Sequence, residues 1–313
     1  MAQSVVFWGG TGQSKVLKEA MSYEPHESLV APAREKSDIL RLIVGLVATA
    51  LLYVVMLMLG GSLASIIMGD AWVQTAAMTP GLTTPAQMLT ILASFGFMIA
   101  AVCLAVILLH HRHPVTILGG WRPSGAQFLR SMRGLIPYLA LIGAFTFFAE
   151  DLQSNLSFSL WLSLLPLTLF FLLIQVSAEE LLFRGYLQSQ LAARGLHKSI
   201  WILLPSVLFG LLHYDPTVMG EAAPWIVIWT IGFGILAADL TARSGTLGPA
   251  IAFHFAVNFM AIALIGFGDY LGGLTLYIYP FSVTETERLM SYLPVDAIGM
   301  LLAYLSVRLA LRR

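Results

Sequence analysis

Glu179 and Glu180 stand side by side in an otherwise apolar stretch, with Arg184 four residues after Glu180. On a helix, Glu180 and Arg184 share a face and can pair, while Glu179 is turned about 100° away and has no partner nearby in sequence. A charged side chain at a bilayer centre costs on the order of 2.5–3.5 kcal/mol on insertion scales. A buried ion pair that fixes helix packing explains Glu180 and Arg184 but leaves Glu179 unexplained. Further along, Phe209 and His213 close one apolar run, and His254 and Asn258 lie four apart in another. Singly, His213 reads as a packed or interfacial histidine. The His254–Asn258 pair reads as interhelical hydrogen bonds, worth roughly 1 kcal/mol or less each.

Together they make a chemical set: a carboxylate, two imidazoles and an amide in a dry environment. Attack of water on a peptide carbonyl needs a base for the water and donors for the developing oxyanion. Glu179 suits the base, His213 helps to hold the water, and His254 and Asn258 are the oxyanion donors. Glu180, Arg184 and Phe209 support them. Zinc is the rival, because two histidines and a glutamate can hold it with a fourth position open. No His-Glu-x-x-His helix is present and the candidate ligands come from three segments, so the expectation is a site without metal. Ser177 and Ser206 have no evident base.

These residues need helices to carry them. The chain has 313 residues, 58% hydrophobic and 11% charged, with a mean hydropathy of +0.82. That leaves too little polar surface for a water-soluble globule, which carries roughly 25% charged residues. Long apolar runs without alternation read as helices, of which ~20 residues cross a bilayer core. An all-α polytopic bundle of about eight spans is expected: 39–68, 88–109, 134–148, 158–177 with a helical continuation to 193, 199–214, 224–240, 247–265 and 290–310. Glu179 to Arg194, His213 to Lys198 and Asn258 to Arg243 are each 15 residues, or ~22 Å of helix. The polar residues therefore reach a similar depth on three helices.

Basic and non-basic loops alternate along these spans. Lys15, Lys18, Arg34, Lys36 and Arg41 precede the first; Asp70 follows it; Arg112, Arg122, Arg130 and Arg133 come next, then Glu150 and Asp151. Arg194 and Lys198, Asp215 and Glu221, Arg243, an acidic loop with Arg288, and finally Arg308, Arg312 and Arg313 continue the pattern. The rule that basic loops stay inside places both termini in the cytoplasm. Residues 1–38, in which no cleavable signal peptide is visible, read as a mobile cytoplasmic extension ahead of a membrane domain, 39–313. The glycine turn at Val5–Gly12 lacks the rest of a nucleotide-binding unit. Zero formal net charge gives no case for a nucleic-acid partner, and the single cysteine, Cys103, permits no internal disulfide.

Glu-Glu-x-x-x-Arg, Phe-x-x-x-His and His-x-x-x-Asn, in that order on successive apolar segments, resemble the motif set of the CPBP family. Phe183-Arg184-Gly185-Tyr186-Leu187-Gln188 matches as well, and the likeness covers about residues 158–267. That family includes type II CAAX prenyl endopeptidases and relatives linked to bacteriocin processing and self-immunity. The resemblance implies a helical membrane endopeptidase with a metal-independent glutamate mechanism. It puts water activation on Glu179 and His213 and the oxyanion hole on His254 and Asn258. A membrane-associated protein or peptide is the implied substrate; CAAX specificity is not carried over. Two other readings keep the same buried residues: a proton-coupled transporter and a non-catalytic membrane scaffold.

Overall fold

The computed structural model describes residues 23–69, 81, 83–148 and 151–312. The glycine turn at Val5–Gly12, Asp70 and Glu150 lie outside the described residues. Among those described, eight helices of twelve or more residues follow one another. They are α1 (Ile39–Met68), α2 (Pro85–His110), α3 (Trp121–Phe148), α4 (Phe158–Glu180), α5 (Lys198–Leu211), α6 (Ala223–Ser244), α7 (Gly248–Phe259) and α8 (Thr286–Leu311). α4 runs on through a π-helical stretch, Leu181–Gln188, into Ser189–Ala193, and α7 ends in a second π stretch, Met260–Leu264.

The starts are set locally. Asp38 caps α1 by accepting from the Arg41 amide. Thr84 and Gln87 form a reciprocal capping box for α2, with Pro85 at its first position. α3 begins at Trp121, well before the expected Gly134, because its first turns are polar while its helical hydrogen bonding is continuous. Among the described residues, six helices are long and apolar enough to cross a membrane; α5 and α7 with its π stretch are shorter. The expected fifth and seventh spans fall on these two.

The ends of the helices gather into two groups. At one end lie the starts of α1, α3, α5 and α7 and the ends of α2, α6 and α8. Arg194 donates to Ser37 O at 2.7 Å, Leu247 N to Leu118 O at 3.1 Å, and Gln127 to Ser244 O at 3.3 Å. This end is rich in arginine and lysine. At the opposite end, three two-residue strands, β1 (Gln153–Ser154), β2 (Ile265–Gly266) and β3 (Tyr277–Ile278), pair in the order β1-β3-β2. The Asn155 amide donates to Gly272 O, Thr275 O and Thr275 Oγ1 at 2.8–3.0 Å, and Trp161 Nε1 donates to Ala263 O at 2.7 Å. The stretch around Asn155 and the chain between α7 and α8 are thereby tied together.

The second half of the expected mobile extension is packed against the bundle. Residues 24–36 form three short helical turns whose Leu29, Ala33 and His26 are buried. Arg112 donates to Leu29 O at 3.2 Å, and Tyr23 donates to Asp239 on α6 at 2.7 Å. Proline and charge disguise this stretch in the sequence, because its apolar residues are too few to show a period.

The core is apolar and contiguous through α2, α4, α6 and α7. The outward faces of α1, α4 and α8 carry exposed Leu, Ile, Val and Phe. That apolar exterior is the reverse of a water-soluble surface and suits hydrocarbon.

Candidate active site

α4 changes character along its length. From Phe158 to Leu173 it keeps exposed apolar faces; from Gln175 onward nearly every residue is buried. Small residues allow this. A Cβ on Gly185 would lie 2.6 Å from Ile117 O, so the π stretch packs against that backbone directly. The switch to π geometry begins one residue after Glu180. Such i→i+5 turns rotate the residues that follow and are common at functional sites.

Four charged or titratable side chains meet there. Arg184 Nη1 donates to Glu180 Oε1 at 2.9 Å, with both side chains fully buried. His254 Nδ1, from α7, donates to the same oxygen at 2.8 Å, and His254 Nε2 approaches Glu179 Oε2 to 3.4 Å. Arg184 Nη2 also donates to Gly234 O on α6 at 3.2 Å. The cluster thus joins α4, α6 and α7. Glu180 proves to be the partner of His254 as well as of Arg184. Glu179 is the least tethered member: its Oε2 has no hydrogen bond, although its side chain is only 12% exposed.

Aromatic rings box the charges in. The Arg184 guanidinium carbon lies 4.7 Å from the Phe209 ring centre, 5.8 Å from Phe233 and 5.9 Å from Phe183. Phe233 meets His254 edge-on at 4.6 Å. Each cation–π contact supplies attraction without a competing hydrogen bond, and the rings keep out water that would weaken the ion pairs.

His213 sits two residues beyond the end of α5 and is half-buried. Its Nδ1 donates to Phe209 O at 2.8 Å, which fixes the tautomer and leaves Nε2 free to accept. Phe209 is the common neighbour of the two histidines, with ring centres 4.8 Å from His213 and 6.0 Å from His254. Asn258 is one turn beyond His254, and its amide donates to Gln175 Oε1 at 3.0 Å. Gln175 lies one turn before Glu179 and is a site residue that sequence reasoning passed over; a lone polar side chain in an apolar run, i−4 from Glu179, was the signal. Phe183 and Phe233 were also missed, because an aromatic residue in an apolar helix carries no chemical mark.

The structure therefore puts Glu179, Glu180, Arg184 and His254 in one contact cluster. It links His213 to that cluster through Phe209, and Asn258 to the acidic helix through Gln175. Among the described residues, no group of three or more His, Cys, Asp and Glu is arranged to hold a metal ion.

Residues 161–260 match the family model for type II CAAX prenyl endopeptidase Rce1-like proteins. All seven residues singled out from the sequence fall within it. Over 123 residues the chain is 30% identical to the uncharacterised protein YyaK of Bacillus subtilis (strain 168). That alignment covers 39% of this chain and 40% of YyaK, so the chain spans well under half of the curated relative it matches. No solved structure matches significantly. Residues 161–260 are thus similar to type II CAAX prenyl endopeptidase Rce1-like proteins, and they lie within an integral membrane protein built of apolar helices.

Proposed function

We propose that this protein is an intramembrane endopeptidase in which Glu179 activates water for attack on a peptide bond of a membrane-associated protein or peptide. The observation that carries this reading is the buried Glu179–His254–Glu180–Arg184 cluster. Arg184 and His254 both bond to Glu180 Oε1, whereas Glu179 Oε2 has no hydrogen bond and lies beside His254 Nε2. A purely structural ion pair has no use for that fourth group.

The chemistry follows from the contacts. Glu179 takes a proton from water, and the water oxygen bonds to the carbonyl carbon. The carbonyl π electrons move onto oxygen, and the tetrahedral intermediate then collapses with Glu179 returning the proton to the departing amine. Glu180 holds His254 by Nδ1, so a second proton on Nε2 faces the Glu179 side and can donate to the oxyanion. The free Nε2 of His213 accepts from the water, and Asn258, steadied by Gln175, completes the donor set. No step calls on a metal.

The test is cleavage of membrane-embedded reporter peptides by the purified protein in liposomes. Glu179→Gln is expected to reduce the rate by about 100-fold or more while leaving the protein folded and monodisperse, and chelators are expected to leave the wild-type rate unchanged. Equal cleavage by wild type and Glu179→Gln would overturn the assignment. Proton flux lost in that variant, without peptide cleavage, would instead favour a proton-coupled transporter, and a protein inactive in both assays a scaffold.

A further inference from the structure

The two ends of the bundle are not equivalent routes to the site. Toward the arginine-rich end, the way to Glu179 is filled. Arg184, Tyr186, Gln188, Ser189 and Gln190 have no exposed surface. His110 closes on Tyr186 OH at 2.7 Å, and Arg112 donates to Ser189 Oγ at 3.3 Å. The turns 24–36 lie over that plug, and their own Leu29 is fully buried.

Toward the opposite end the chain is short. α5 stops at Leu211, having climbed ~21 Å from Lys198, less than a ~30 Å hydrocarbon core. His213, the half-buried member of the site, lies at this break. Leu211, Leu212 and Tyr214 beside it are all more than half exposed. Asp215 and Glu221 follow. Met219, Ala222 and Ala223 pack against Val283 and Leu289, which places this loop with the chain between α7 and α8 at the end away from Lys198.

We infer that substrate reaches Glu179 and His213 from the end opposite the arginine-rich rim. Basic loops remain on the cytoplasmic side, so this entrance faces away from the cytoplasm. The substrate class is then a polypeptide segment presented at the non-cytoplasmic surface, rather than the cytoplasmic tail of a lipid-anchored protein. The apolar Leu211–Leu212–Tyr214 rim suits a chain that arrives along the lipid–water boundary, and Asp215 and Glu221 suit one bearing basic residues. The substrate consequence rests on the protease reading; the entrance itself does not.

Thiol accessibility separates the two. In a Cys103→Ser background, Leu212→Cys, His213→Cys, Glu179→Cys and Lys198→Cys are each exposed to a small, charged, membrane-impermeant methanethiosulfonate. Right-side-out and inverted membrane vesicles are compared. Leu212→Cys, His213→Cys and Glu179→Cys are expected to react at least tenfold faster in right-side-out vesicles, and Lys198→Cys to react only in inverted ones. Reaction of Glu179→Cys or His213→Cys from the inverted side, or from neither, would overturn the inference. If Glu179→Cys does not accumulate, His213→Cys decides alone by the same outcomes. Labelling needs no catalysis, so this result and the peptide-cleavage result are read independently.

Discussion

At the scale of single residues, the site is a problem in charge compensation. Glu180 accepts from both Arg184 and His254 through one oxygen, while its second oxygen and Arg184 Nε have no hydrogen bond. Replacing Arg184 by Met, which keeps the bulk, leaves Glu180 facing only a histidine inside an aromatic box. Breaking a buried pair from one side costs about 3–5 kcal/mol, so Arg184→Met is expected to lower the unfolding midpoint in detergent sharply. Adding Glu180→Gln to it should restore part of the loss; a midpoint unchanged by Arg184→Met would show that the pair is not needed. The sequence displayed this pair plainly, because charge in an apolar run is conspicuous and i,i+4 spacing is local. It did not display that His254, 74 residues on, completes the same oxygen. Contacts of that separation depend on how helices pack, and no local spacing encodes them.

At the scale of elements, close approach between helices sets the positions of the reacting groups. α5 and α6 touch through Gly210 and Gly234. A Cβ on Gly210 would come within 2.5 Å of the Ile231 side chain and 3.0 Å of Val227 O, and one on Gly234 within 2.9 Å of Ser206 Cβ. Gly210 is one residue from Phe209 and three from His213, so any widening moves both. Gly210→Val is expected to cost about 1–3 kcal/mol through overpacking and to slow peptide cleavage more than it lowers stability. A variant with wild-type kinetics would show that the spacing is not critical. Helix existence was legible from hydropathy alone, since apolar runs of this length have few alternatives. The π stretches after Glu180 and Phe259 were not, because their extra residue per turn is imposed by packing and leaves no mark in composition.

At the scale of the whole molecule, the arginine-rich end is held by the turns 24–36. His26 is buried there, its ring 4.8 Å from that of Trp201, and Gln188 Nε2 lies 3.5 Å from its Nε2. Burial pulls His26 down to about 4 from an ordinary 6.5, only partly opposed by Glu27. The undocked segment takes up a proton near 6.5, the docked one only near 4. Docking is therefore fully stabilised above 6.5 and loses stability as pH falls through that window, by on the order of 3 kcal/mol at its lower edge. Protease sensitivity of the segment is expected to rise between pH 6.5 and 4, and His26→Phe should flatten the dependence. A pH-independent digestion rate in the wild type would refute this. The sequence marked the region as polar and unpatterned, and a mobile reading followed, because burial of a few scattered side chains has no periodic signature.

Asp239 gives the docked turns a further meaning. Its carboxylate accepts from Tyr23 and Tyr304 at 2.7 Å each and from Arg243 Nε at 2.8–2.9 Å, while Arg308 donates to Tyr304 OH at 2.8 Å. One acid thus knots the amino-terminal turns, α6 and α8 together. Anyone trimming the gene for expression should leave Tyr23 in place: a version begun at the first apolar span would strip away both a phenol that quiets this acid and the turns roofing the core, and would be a different object from the protein it was meant to represent.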